Sequence, residues 1–163
     1  MLWKNKDLGV SNHKHEEFFF IGERPSNRAF EMDVTWRDGA LVAATLFDAL
    51  RNINLDPCRQ HYKNLYTSPV RGAATDAADE RRAVKAARRA VRRGLMIVGM
   101  GRIVHRVLTR EGILHLQLRH PAARGLGRRR DLFRTHTREV LTQRGNDDGA
   151  QRGRSTSCSR LHS

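Results

Sequence analysis

A carboxylate, an amide and an imidazole stand at the ends of short apolar runs in this chain. About a hundred residues separate the first from the last. Glu23 follows the run Phe18-Phe19-Phe20-Ile21 and opens the turn Gly22-Glu23-Arg24-Pro25-Ser26. Asn64 lies within Tyr62-Lys63-Asn64-Leu65, and His120 precedes Pro121 after the run 113–118. A third apolar run, 95–98, ends in the glycine turn Gly99-Met100-Gly101. A proline stops a strand, and the residue beside it then points into a crevice instead of joining the ladder. Groups delivered this way by several parallel strands share one sheet edge, where α/β enzymes build their sites.

The elements that must do this positioning alternate. Strands are expected at 18–21, 62–66, 95–98 and 113–118, the third continuously apolar, as a strand buried on both faces should be. Helices are expected between them. The first runs over 39–52, capped by Asp38, with Val42, Leu46, Ala49, Leu50 and Ile53 on one face. A second, very polar helix covers 76–93, where Ala83, Val84, Ala87, Ala90 and Val91 form the apolar stripe. Its arginines (81, 82, 88, 89, 92 and 93) read either as a solvated face or as a nucleic-acid contact. A short helix carries Ile103, Val104, Val107 and Leu108, and a last one covers 130–141. Strands joined by helices of this length imply right-handed crossovers, hence an α/β three-layer sandwich with a four-stranded, mostly parallel sheet. The expected divisions are a flexible segment at 1–16, the domain at 17–143, and a disordered basic tail at 144–163 too poor in apolar residues to order itself.

Composition bears on partners. The 163 residues carry a formal net charge of +14, and the pI is near 11.3. Such an excess suits a protein that meets a polyanion, because phosphates attract Lys and Arg and counterions are released on contact. It also suits a basic surface on a protein from an arginine-rich genome. Cys58 and Cys158 have no partner spacing, so neither a disulfide framework nor a zinc or iron–sulfur set is written here. His13 and His15 lack an accompanying ligand cluster. Gly99-x-Gly101 lacks the third glycine of a dinucleotide fingerprint. Residues 1–17 hold no apolar core of signal-peptide length, and no run approaches membrane-spanning length. The expected setting is the cytoplasm, away from membranes.

Taken in order, these residues resemble the uracil-DNA glycosylase superfamily. Its iron–sulfur branch opens with Gly-Glu-x-Pro-Gly after the first strand, similar to Gly22-Glu23-Arg24-Pro25-Ser26. An aromatic residue and a glycine then precede a Leu-rich helix, matched by Trp36 and Gly39 before 41–50. Asn64 matches the family's second-strand Asn, and 97–101 match its strand ending in Gly. His120-Pro121-Ala122 stands for the closing His-Pro-Ser. The resemblance spans about 18–141.

It implies hydrolysis of the N-glycosidic bond of uracil or a related damaged base in DNA. Glu23 and His120 would be catalytic: Glu23 orienting water or stabilising the cationic sugar, His120 hydrogen-bonding the base oxygen on which charge grows. Asn64, Trp36 and Gly22 would bind the base, by edge reading, stacking and close approach. Pro25, Ser26, Pro121, Arg124, Arg128, Arg129 and Arg130 would contact DNA, single- or double-stranded. The implied form is a monomer that uses no metal or cofactor. The chain departs from the pattern at Arg24 (the water-activating Asp of the best-known branch), Ser26 (Gly), Ala122 (Ser) and Arg124 (near an apolar intercalating residue), and it lacks the cluster cysteines. A non-catalytic nucleic-acid- or nucleotide-binding module on the same scaffold, and an enzyme of free nucleotides, are the alternatives.

Overall fold

Alternation along the first strand decides the layers. In a computed structural model, which describes residues 17–123 and 129–142, β1 spans Phe18–Gly22. Successive side chains of a strand point to opposite faces. Phe18 and Phe20 therefore pack into one apolar layer, Phe19 and Ile21 into the other. With both faces covered, β1 is buried throughout. The remaining strands are β2 (His61–Asn64), β3 (Met96–Met100) and β4 (His115–Leu118). They pair in the order β2-β1-β3-β4, and every pairing is parallel.

The described residues form the helices α1 (Asn27–Glu31), α2 (Val42–Asn52), α3 (Asp76–Arg92), α4 (Arg102–Arg110) and α5 (Arg130–Thr142), and all but α1 pack on the sheet. Leu46, Ala49 and Leu50 of α2, with Phe133 and Leu141 of α5, cover Phe18, Phe20, Val98, Met100 and Leu118. Ala83, Val84 and Ala87 of α3, with Val104, Val107 and Leu108 of α4, cover Phe19, Ile21 and Ile97. The result is the three-layer α/β sandwich expected from the alternation, with a sheet parallel throughout.

Two local features differ from expectation. Asp38 does not cap α2. Its carboxylate accepts hydrogen bonds from the Thr35 amide at 2.7 Å and the Thr35 hydroxyl at 3.2 Å, closing the 3-10 turn Trp36–Asp38. Gly39 then turns left-handed at φ 63°, Leu41 stands at φ 54°, and only Val42 begins the helix. The short α1 was not expected, because no residue of it is buried and no apolar period marks it. The segments 1–16 and 144–163, and with them His13, His15 and Cys158, lie outside the described residues, as do Arg124 and Arg128.

Side chains distant in sequence tie the layers. Gln60, 5% exposed, accepts the Glu17 and Phe18 amides with Oε1 and so completes the start of β1. His115 Nδ1 lies 2.7 Å from the Ile113 carbonyl, and its Nε2 lies 2.7 Å from His105 Nδ1. A carbonyl only accepts, so His115 Nδ1 carries the proton, and in a neutral His115 ring Nε2 accepts from His105 Nδ1–H. Arg134 of α5 grips Asp48 of α2 with two hydrogen bonds of 2.7 Å.

The Arg134 hydrogen bonds hold the Asp48 carboxyl below the ordinary carboxylate range, against partial desolvation. A depressed folded-state pKa stabilises fully above the unfolded value and loses that contribution as pH falls through the folded one. Arg134→Ala should therefore destabilise the protein in urea melts at neutral pH. The difference from the parent should shrink in acid, below the carboxylate range, and an equal loss at both pH values would contradict the clasp.

Candidate functional site

The strand order places a reversal between β1 and β3. The chain leaves β1 toward β2 on one side, then returns across β1 to build β3 and β4 on the other. Connections from neighbouring strands then depart to opposite faces and leave a crevice at the carboxyl ends. The loop after β1 leads to α2 and that after β3 to α4, which lie in opposite layers. Gly22, Glu23, Gly101 and His120 all fall at this edge.

Gly22 and Asn64 are register partners at the ends of β1 and β2. The indole Nε1–H of Trp36 donates to Asn64 Oδ1 at 2.8 Å, and the two side chains meet directly above Gly22. A Cβ at position 22 would stand 2.6 Å from Asn64 Oδ1 and 3.0 Å from Trp36 Cζ2. Only glycine leaves room for this pair. An indole nitrogen donates and never accepts, so the contact also fixes which way the Asn64 amide points. Trp36 itself is half-buried against the α2 layer.

His120 completes the wall. Its ring lies edge-on to Trp36, with centroids 6.0 Å apart and planes at 69°. Gly101, at φ 94°, brings the start of α4 close beneath it: a Cβ there would meet His120 Cβ at 3.6 Å. The Ala122 amide donates to His120 Nδ1 at 3.1 Å. Nδ1 therefore has no proton, and in the neutral ring Nε2 carries it. Burial pushes the His120 pKa below its ordinary value, while the Glu23 carboxylate opposes the shift. A neutral imidazole with its N–H fixed on Nε2 is a hydrogen-bond donor to a charged or polar oxygen. It is not set up to take a proton at that atom.

Glu23 is 22% exposed at its side chain and lies between two guanidiniums, with Oε1 3.6 Å from Arg24 Nε and 3.3 Å from Arg71 Nη2. That buried oxygen makes no hydrogen bond. Arg24 is committed elsewhere. It donates to the carbonyls of Ser68 at 2.9 Å and Val70 at 2.6 Å, pairs with Asp76 at 3.0 Å and stacks on the Tyr66 ring at 4.4 Å. Arg24 thus binds the loop before α3 to the end of β1. The Arg71 contact was not expected, since nothing marks one arginine of that loop in the sequence.

The residues expected at DNA are more dispersed. The Ser26 hydroxyl accepts the Ala29 amide at 3.1 Å and caps α1. Pro121 is buried, and the amides of Ala122 and Ala123 both turn back onto His120. Pro25 leads into α1. Arg129 and Arg130 are exposed at the start of α5, Arg129 paired with Asp131 at 3.2 Å. A cleft of about 390 Å³ opens elsewhere, beside the amino end of β2, lined by Arg37, Phe47, Pro57 and Tyr62 among others. Its Tyr62 hydroxyl already donates to the Pro57 carbonyl, and burial pushes that phenol well above its ordinary pKa. The strand-end cluster is the better candidate because its polar groups converge. Among the described residues no group of three or more His, Cys, Asp or Glu is placed to hold a metal ion, and no helix is long and apolar enough to cross a membrane.

Gly22→Ala should cost about 1–3 kcal/mol through forced overpacking. In a Trp3→Phe background it should also shift Trp36 fluorescence as the Asn64 contact breaks, and an unchanged spectrum would contradict the geometry. In an NMR titration His120 should take up its proton below the usual pH for histidine, and lower still in Glu23→Gln. Because this folded pKa is depressed, the neutral ring's contribution to stability is complete above the unfolded value and lost as pH falls through the folded one. No protein-family model matches the chain, nor does any curated protein or solved structure.

Proposed function

We propose that the chain is a uracil-DNA glycosylase-like hydrolase that excises uracil or a related base from DNA. The observation that carries this reading is the convergence of Gly22, Glu23, Trp36, Asn64 and His120 at one sheet edge, with the His120 proton held on Nε2. Breaking the bond between C1′ and the base nitrogen leaves the electron pair on a pyrimidine anion and positive charge on the sugar. Water then adds at C1′ and releases a proton. His120 Nε2–H donates to the base oxygen as its charge grows, an interaction stronger in the transition state than in the substrate. Asn64 addresses the edge of the base with its amide, Trp36 offers a flank for stacking, and the floor at Gly22 lets the ring approach the backbone. The Glu23 carboxylate stabilises the cationic sugar or orients the water. Phosphates are drawn by the net charge of +14 and by Arg129 and Arg130.

One observation favours a second reading, a binding module without catalysis. Arg24 and Arg71 offset the Glu23 charge, which weakens what it lends to an oxocarbenium-like sugar.

The two readings separate on oligonucleotides, single- and double-stranded, that contain one uracil. The enzyme yields abasic product, and His120→Ala slows it by about 10²–10³ through loss of one preorganised donor. Glu23→Ala should also lower the rate while leaving binding of the same strand nearly unchanged. Tight, salt-sensitive binding with no product from a panel of modified bases would establish the module instead. Release of base from free nucleosides alone would point to an enzyme of free nucleotides.

A further inference from the structure

We propose that the outer face of α3 is a second nucleic-acid surface, one that holds the phosphate backbone of a double helix. The inference stands apart from base excision. Arg81, Lys85, Arg88 and Arg92 follow one another at helical spacing of four, three and four residues, and Arg82 and Arg89 flank them. All six are exposed. From Arg81 to Arg92 the ridge runs roughly 16 Å at the rise of an α-helix.

What makes this ridge unlike an ordinary solvated face is where the helix's own carboxylates go. Asp76 pairs with Arg24, and Asp79, 4% exposed, accepts from the Thr67 hydroxyl and amide. Glu80 is held by Tyr66 and Arg110. The acids thus serve the attachment of the helix to the loop before it and to α4. Arg82 keeps a contact with Asp79 and Arg88 one with Glu111. Arg81, Lys85, Arg89 and Arg92 have no carboxylate partner among the described residues.

The chemistry of the ridge selects its occupant. Five of its six cations are guanidiniums, whose planar fork matches phosphate oxygens in pairs. No aromatic side chain lies on it, so there is nothing on which the bases of a single strand could stack, and contact is limited to phosphates. A membrane-surface helix would need a large free apolar face. Here that face is buried on the sheet, and Val91 is the one large apolar residue of α3 left exposed. The ridge is also separate from the strand-end cluster. The helix begins beside Arg24 and ends before Gly94, at the amino end of β3, so most of it lies away from His120.

The test uses the full chain and a fluorescent DNA duplex of undamaged sequence, with anisotropy followed across a salt series. Replacing Arg81, Lys85, Arg89 and Arg92 together by Gln should weaken low-salt binding by at least about tenfold. It should also flatten the dependence of log K on log salt by about 3.6, since each of the four phosphate contacts contributes about 0.9. The pair Arg81→Gln and Arg92→Gln should give about half that change and serves if the fourfold variant does not fold. An unchanged slope in a variant with native circular dichroism overturns the proposal. So does binding to vesicles of anionic phospholipid without binding to the duplex, or a preference for single strands that α3 variants leave intact. Because the duplex holds no uracil, loss of the excision reading leaves this result untouched, and the converse also holds.

Discussion

The hydrogen bond from the Trp36 indole to Asn64 closes over a position that tolerates no side chain, and the candidate site is built around that contact. It joins the loop after β1 to the end of β2 and sets the rotation of the one amide at the strand ends. Its geometry favours Gly22 beneath it, since a Cβ there would stand closer than van der Waals contact to both partners. The indole then meets the His120 ring at a steep angle, the imidazole arriving from the end of β4. The parallel sheet supplies the common edge, and the close approach at Gly22 turns that edge into a floor with walls.

The two ionisable groups at this edge are prepared differently. His120 is half-buried, deprotonated at Nδ1 by the donor it faces and pushed toward neutrality by desolvation. Glu23 is held in its carboxylate's natural company, two guanidiniums, one of which is itself locked to the backbone. A donor without charge and an acid with its charge offset suit a polar, weakly charged ligand better than a strong ion. Among the described residues the excess of positive charge lies instead on exposed surfaces such as the outer face of α3, where Arg81, Lys85, Arg89 and Arg92 have no carboxylate partner.

Much of this arrangement was legible in the residues. The apolar runs at 18–21 and 95–98 and their alternation with helical patterns carried the sandwich and its shared edge, because both follow from periodicity and backbone geometry, although β3 runs on through Gly99 to Met100 before it turns. The parts that were not legible depend on partners far apart in sequence. Gln60 completing β1, Arg24 reaching Ser68, Val70 and Asp76, and Trp36 meeting Asn64 leave no local signal. Asp38 was misplaced because a Thr-x-x-Asp turn and a helix cap use the same residue types, and only the positive φ of Gly39 and Leu41 separates them. The half-exposed edge strand β2 lacks an apolar period, so its position was shifted by a residue or two.

The two loops that flank the strand-end cluster are anchored unequally. On the side of residues 66–76 the Arg24 side chain alone engages two carbonyls, a carboxylate and a ring, so that loop moves only by breaking several attachments at once. On the side of residues 26–41 neither α1 nor the turn at 36–38 buries a side chain fully, and the Trp36 indole ties it to Asn64. A guest that loosens the indole from Asn64 would therefore set one jaw free while the other stayed clamped, making entry a one-sided event.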